Sequence, residues 1–214
     1  LLRDLAWTLK DYYWLCKRKR SNLLPSERAS FSNAPVIMDF RRETDDNPEN
    51  NCNYFNPMRL RRHARECKVP VARFDAVHVG VEHDVGMKMD EQFFRGLPPT
   101  IEVAEEARVI LIHNLAVEHG LLNGTQGVVK LIVYDTNQGP LSVDKAQAMP
   151  RSIVVDFPQY VEPVFFDLAT HPERQTWVPI EPRELGKDDN AAILRCQYPF
   201  VLGWALTPWK AQGM

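Results

Sequence analysis

One apolar run constrains this chain more than any other stretch: Phe200-Val201-Leu202-Gly203-Trp204-Ala205-Leu206. It is continuous rather than alternating, the pattern of a strand buried on both faces, as strands of parallel sheets are. The run delivers Thr207, Lys210 and Gln212 past its carboxyl end, with Gly213 at once behind them. A hydroxyl, a cation and an amide bunched there suit the gripping of phosphates, because each can hydrogen-bond an anionic oxygen.

The rest of the composition narrows the class. The chain has 214 residues, long enough for one or two domains with a real core. Net charge is −2, so no global positive field draws the chain to nucleic acid. No apolar run approaches the ~20 residues of a membrane-spanning helix, and no secretory signal opens the sequence. Cys16, Cys52, Cys67 and Cys196 are scattered without a C-x-x-C pair, which suits a reducing compartment. The sequence opens on Leu1 and stops at Met214 in mid-motif, so an internal piece of a longer protein is expected.

Leu2, Leu5, Leu9, Tyr12 and Cys16 recur at helical spacing and predict an amphipathic helix closed by Lys17-Arg18-Lys19-Arg20. A short helix is expected from Pro25, a strand at Val36–Phe40 and a polar loop at Arg41–Asn53. Asn56-Pro57 reads as a helix start, Asn as the cap and Pro in the first turn, with the helix running to about Cys67. In that helix Leu60 and Ala64 face inward and Arg59, Arg61, Arg62 and Arg65 outward. Val69–Val81 reads as a strand pair and Gly96-Leu97-Pro98-Pro99-Thr100 as a stiff linker. Strands are then expected at Arg108–His113, Gly127–Tyr134, Ser152–Phe157, Val164–Phe166 and Trp177–Ile180. Turn signals such as Asn123-Gly124 and Gly139-Pro140 separate them. Successive short strands without helices between them suggest a small barrel.

Two blocks carry a family resemblance. Ala205-Leu206-Thr207-x-x-Lys210-Ala211-Gln212-Gly213 resembles the "A-x-T-x-H-K-x-Q-G" segment of the Pif and RecD-like DNA helicases of superfamily one. Val109-Ile110-Leu111-Ile112-His113-Asn114-Leu115 followed by Gly120-Leu121-Leu122-Asn123-Gly124-Thr125-Gln126-Gly127-Val128-Val129 resembles that family's "V-M-L-x-x-N-L … G-L-x-N-G-x-x-G-x-V" signature. The blocks occur in the family's order. Asn56-x-x-x-Leu60 matches the end of a third family stretch whose Pro-Thr start is missing here, replaced by Asp39-Phe40-Arg41-Arg42.

The resemblance implies an α/β fold: a partial RecA-like domain of the P-loop NTPase type with an inserted small β-barrel of the Src-homology-three type. On this reading residues 1–95 are a helical lead-in and the first part of the second RecA-like domain. Residues 96–195 hold the barrel, and 196–214 return to the RecA-like domain. The resemblance further implies part of an ATP-dependent DNA helicase moving 5′ to 3′ on single-stranded DNA, in replication, recombination, repair or telomere maintenance. Thr207 and Lys210 would contact the strand's phosphates, while Gln212 and Gly213 would lie near the nucleotide cleft. The partners implied are single-stranded DNA or DNA junctions, without a membrane, the protein acting as a monomer. The compartment would be nuclear or mitochondrial in a eukaryote and cytoplasmic otherwise. ATP and Mg²⁺ would be bound mainly by the first RecA-like domain, upstream of Leu1. The alternative is a non-catalytic nucleic-acid- or protein-binding barrel from a degenerate helicase-derived gene.

The residues add their own constraints. No G-x-x-x-x-G-K-[ST] loop occurs, so no catalytic residue is expected here and this chain alone should not hydrolyse ATP. Trp209, preceded by Pro208, stands where the family has His; it has two readings, a platform for base stacking or a core filler. Asn123, Gly124 and Gly127 read as a structural turn, Asn-Gly supplying positive φ angles and Gly127 a bend. Direct DNA contact by Asn123 or Thr125 is the other reading. Cys52, His63, Cys67 and His78 have ligand chemistry, but their intervals match no familiar zinc module, and no metal is expected.

Overall fold

A computed structural model describes residues 23–26, 36–37, 52–135, 149–189 and 191–206. The chain divides into two compact units, Leu1–Pro35 and Val36–Met214. In the first only residues 23–26 are described, so the expected amphipathic helix and its basic end lie outside the described residues. The loop expected at Arg41–Asn53 lies outside them except for its last residues, and so does the Gly139-Pro140 turn.

The second unit begins with β1 (Val36–Ile37) and the helix α1 (Cys52–Cys67). Strands β2 (Ala72–Asp75) and β3 (Val77–Val79) follow, then α2 (His83–Lys88) and a 3₁₀ turn at Glu91–Phe94. Next come β4 (Thr100–Val103), β5 (Arg108–Leu111), β6 (Gln126–Val133), β7 (Ser152–Asp156) and β8 (Trp177–Ile180). The chain closes with β9 (Arg183–Leu185), β10 (Leu194–Gln197), β11 (Phe200–Leu202) and β12 (Ala205–Leu206).

The largest sheet has the order β11-β5-β6-β7-β8, antiparallel throughout. Its strands follow one another as a meander, with β11 added at the β5 edge. Among the described residues its two edge strands, β11 and β8, do not pair, so the sheet described is open and does not form the closed barrel suggested by the sequence. A bulge between Val129 and Leu131 shifts the β6–β7 register. A second sheet orders β3-β10-β9, and a third pairs β2 with β4. The expected strand pair at 69–81 exists as two strands, but they pair with distant partners rather than with each other.

Burial follows the pleat. In β4 and β8 alternate side chains are buried, whereas β7 buries three in a row, Ile153, Val154 and Val155. These strands share one core with α1, whose Leu60 and Ala64 are buried in the same cluster as Val109, Val129, Ile153 and Phe200. Tyr198 is fully buried between the rings of Phe74 and Phe200, each 5.5 Å away, and its hydroxyl donates to Pro150 O at 2.7 Å. Burial raises its pKa.

Three expectations are corrected. The run Phe200–Leu206 is not one strand: β11 pairs antiparallel with β5, and β12 pairs parallel with β1, with Gly203 and Trp204 between them. The chain changes sheets at Gly203, where a Cβ would lie 2.9 Å from Ile110 Cγ1. Val164–Phe166 forms no strand; Phe165 is half exposed and stacks on Tyr160 at 6.1 Å. The helix begins at Cys52, so Asn56 and Pro57 lie inside it, and the Asn56 side chain bonds to β11 and β12 rather than capping.

The Gly96–Thr100 stretch is packed in place. Leu97 is fully buried, its carbonyl accepts from Arg195, and Pro99 O accepts from Ala76 N.

Candidate nucleic-acid interface

The parallel pair β1 and β12 defines the place to look. Parallel strands present their carboxyl ends at one edge, and ligands of α/β sheets bind there, because the loops leaving those ends converge. Val36 pairs with Ala205 and Ile37 with Leu206, so both strands point the same way. Thr207 is the next residue after β12 in the chain. Thr207, Trp209, Lys210, Gln212 and Gly213 themselves lie outside the described residues. What is described is the scaffold that delivers them.

That scaffold is α1. Asn56, Leu60, His63 and Cys67 recur at the three- and four-residue spacing that puts side chains on one helix face. Asn56 Nδ2 donates to Leu202 O at 3.2 Å and to Ala205 O at 3.1 Å. Ala205 N donates to Asn56 Oδ1 at 2.8 Å. An extended residue points its N–H and C=O to the same side, so the Asn56 carboxamide occupies the position of a neighbouring strand residue in an antiparallel pair. Two turns further on, the His63 ring lies 5.7 Å from the Trp204 ring, and His63 Nε2 is 3.1 Å from Glu105 O. One helix face thus holds the residues on both sides of the sheet change.

The other faces of α1 are basic. Arg61, Arg62 and Arg65 are exposed and Arg59 is half-buried. Arg62 Nε pairs with Glu66 at 2.7 Å, and Arg61 reaches Glu102 at 3.8 Å. Pairs this exposed leave the positive potential largely available to an anion. A shallow groove of about 340 Å³ runs along this side, lined by Asn53, Tyr54, Pro57, Met58, Arg61 and Arg65. Arg108 has its pKa lowered, first by burial and then by the Arg59 charge.

The turn before β6 is built differently from its sequence reading. Gly124 alone takes a positive φ, +95°, and Thr125 N donates to Leu122 O at 3.0 Å. Positive φ at the third of four residues defines a type II turn, so Asn123 keeps an ordinary φ. Asn123 is exposed, and its N–H donates to Asn114 Oδ1 at 2.8 Å. Thr125 is buried; its hydroxyl accepts from Leu122 N and donates to Gly120 O, both at 3.0 Å. Gly127 is required for space rather than for a bend: a Cβ there would lie 2.5 Å from Val155 Cγ1 and 2.7 Å from the Phe157 ring. His113 Nε2 is bonded to Arg95 O at 2.7 Å.

Sequence reading missed the most heavily bonded side chain of the described residues. Arg195 on β10 is fully buried. Its Nε donates to His78 Nε2 at 2.9 Å, Nη1 to Leu97 O at 2.7 Å, and Nη2 to Gly86 O at 2.7 Å and Met89 O at 3.3 Å. The guanidinium lies 4.1 Å from the Phe94 ring centre. His78 is held down to about 4, chiefly by burial and then by the Arg195 and His83 charges. This cluster ties α2 and the 3₁₀ turn to β10. A lone Arg in a short polar strand gives no periodic signal, so nothing in the sequence marked it.

Among the described residues no three His, Cys, Asp or Glu side chains come together as metal ligands. Cys67 Sγ lies 3.7 Å from His63 Nδ1. No described helix is long and apolar enough to cross a membrane.

No protein-family model matches the chain. No curated protein matches it either. Solved structures do. One is a Pif1 helicase from work on DNA unwinding at forked double-stranded DNA by two coordinating Pif1 helicases, at 15% identity and a TM-score of 0.55, covering 97% of this chain and 35% of that one. Another is the Pif1 helicase of Candida albicans, at 17% identity and a TM-score of 0.54, covering 97% of this chain and 45% of that one. The chain therefore spans between a third and a half of the length of these helicases. Over nearly its whole length the chain has a fold similar to that of these Pif1 helicases.

Proposed function

We propose that this chain supplies part of the single-stranded-DNA track of an ATP-dependent helicase. The observation that carries the reading is the parallel β1–β12 pair, from whose carboxyl edge the Thr207–Gly213 segment departs. The likeness of fold to helicases, one of them described at forked DNA, supports it. On this reading β1, α1 and β12 belong to a second RecA-like domain. The meander between them is its insert, counterpart of a small barrel of the Src-homology-three type.

Thr207 and Lys210 grip backbone phosphates, Trp209 stacks on a base, and Gln212 and Gly213 reach the nucleotide cleft. ATP and Mg²⁺ are held mainly by a first RecA-like domain, since this sequence has no phosphate loop. Closure of the two domains on ATP then advances the strand 5′ to 3′. The basic face of α1 adds a field that attracts the strand without reading its sequence.

The test is the salt dependence of oligo-dT binding by Lys210→Ala and by the unaltered chain. Each lost phosphate contact lowers the slope of log K against log salt by about 0.7 for a single strand. An unchanged slope removes Lys210 from the track.

A further inference from the structure

We infer that the β5–β6 turn and the β7–β8 loop together form a docking surface for a basic, apolar segment of a partner protein. Phe165 and Val161 are its anchors, and the inference does not depend on the function proposed above.

Both connections leave the same end of the large sheet, because Val128 near the start of β6 pairs with Asp156 at the end of β7. There the chain turns apolar side chains to solvent: Val161 is 66% exposed, Val117 55% and Phe165 50%. The segments that carry them are tied together. Val161 N donates to His119 O at 3.2 Å, and His119 Nδ1 lies 3.1 Å from Val161 O. The Tyr160 ring, itself buried in the core, lies 6.1 Å from the Phe165 ring and 6.2 Å from that of His119. Its hydroxyl donates to Pro163 O at 2.7 Å. Phe166, next in the chain, is held by Arg174 and Trp177, 5.6 and 6.2 Å from its ring. A surface fixed in this way loses little conformational freedom when a partner lands on it. Exposed apolar side chains gathered in one place mark interaction sites.

Charge selects the occupant. Neither residues 109–129 nor residues 152–173 include a Lys or Arg. Those stretches carry exposed Glu118, Glu162, Asp167 and Glu173 instead. Flanking cations are committed to carboxylates: Lys130 to Glu106, Arg151 to Asp135 and Arg174 to Glu173. Arg183 reaches in, donating to Asn114 O at 3.4 Å, one cation against four exposed carboxylates. A surface of that sign repels nucleic-acid phosphates and anionic lipid headgroups, and attracts Lys and Arg. Apolar anchors among carboxylates therefore fit a protein segment whose apolar side chains alternate with basic ones.

The test uses the 214-residue chain and a synthetic peptide of alternating Leu and Lys, with binding read by anisotropy and its place by amide shifts in NMR. Comparison probes are the same peptide with Glu for Lys, and oligo-dT. The variants are Phe165→Ser, Val161→Ser and Glu162→Lys. Val85→Ser is the control, removing an equally exposed apolar side chain from α2. The expected result is shifted amides at residues 116–122 and 158–167 with the Leu-Lys peptide. Affinity falls about tenfold in Phe165→Ser and in Val161→Ser, several-fold in Glu162→Lys, and stays unchanged in Val85→Ser. Rising salt weakens binding, and the Leu-Glu peptide leaves these amides unmoved. The inference is overturned if the Leu-Lys peptide does not bind, binds elsewhere, binds no better than its Leu-Glu counterpart, or keeps its affinity in both serine variants at the loop. Oligo-dT shifting the same amides would make the surface a nucleic-acid site, and shifts that grow with protein concentration alone would assign it to a second copy of the chain; either overturns the inference.

Discussion

Replacing Arg195 with alanine tests the packing account most sharply. The buried guanidinium donates to three carbonyls and to the His78 ring. Arg195→Ala leaves Leu97 O, Gly86 O and Met89 O facing a void and removes the cation over Phe94. Each buried acceptor left unpaired costs about 1–3 kcal/mol, and the emptied volume adds a cavity term. Partial relaxation and water entry bring the expected loss to about 4 kcal/mol, large against the 5–15 kcal/mol stability of ordinary domains. Arg195→Lys keeps the charge but loses the planar fork, and should cost about 2–3 kcal/mol. Urea denaturation followed by Trp fluorescence reads both as a lower midpoint at an unchanged slope. A loss below about 1 kcal/mol in Arg195→Ala would refute the claim that this cation ties α2 and the Glu91–Phe94 turn to β10.

The remaining predictions concern single groups. His78 has its folded pKa lowered to about 4 from the ordinary 6.5, so the unfolded chain binds more protons between those values. Stability should therefore be full above pH 6.5 and fall as pH drops from 6.5 through about 4, by about 1–2 kcal/mol once partial solvation of the ring is allowed for; a flat profile over that window in urea melts would contradict it. Gly127→Ala should lose about 2–3 kcal/mol because Val155 and Phe157 stand within 2.7 Å of the new methyl, read as a fall in melting temperature. Gly124→Ala, with φ at +95° but no atom within 4 Å of a Cβ, should lose only about 1–2 kcal/mol, and a larger loss there would point to a missed steric contact. Exposed Cys67 should react with a thiol reagent in the native chain ahead of Cys196, whose thiol burial pushes up to about 11.

The meander was legible because its strands carry period-two or continuous β-branched runs. Expected strands at 108–113, 127–134, 152–157 and 177–180 correspond to β5, β6, β7 and β8 within one or two residues at each end. The strands at 183–185 and 194–197 were not legible: they are short, polar, and held by pairing with each other and with β3. Phe200–Leu206 misled because a sheet change leaves hydrophobicity unbroken; only Gly203, tight against Ile110, records the break. Asn56-Pro57 misled because tertiary bonds to Ala205 and Leu202 outweigh the local capping preference of Asn. Of the candidate site, the sequence showed which donors follow β12. It could not show that a helix begun well before them holds the strand that delivers them.

The central claim is that the DNA track lies partly on this chain, and fluorescence anisotropy of labelled oligo-dT, titrated with the protein over rising salt, tests it most directly. The account predicts binding at low salt that weakens linearly in log K against log salt, with quenching of Trp fluorescence as bases stack. Absence of binding at low salt, or binding indifferent to salt, would contradict it.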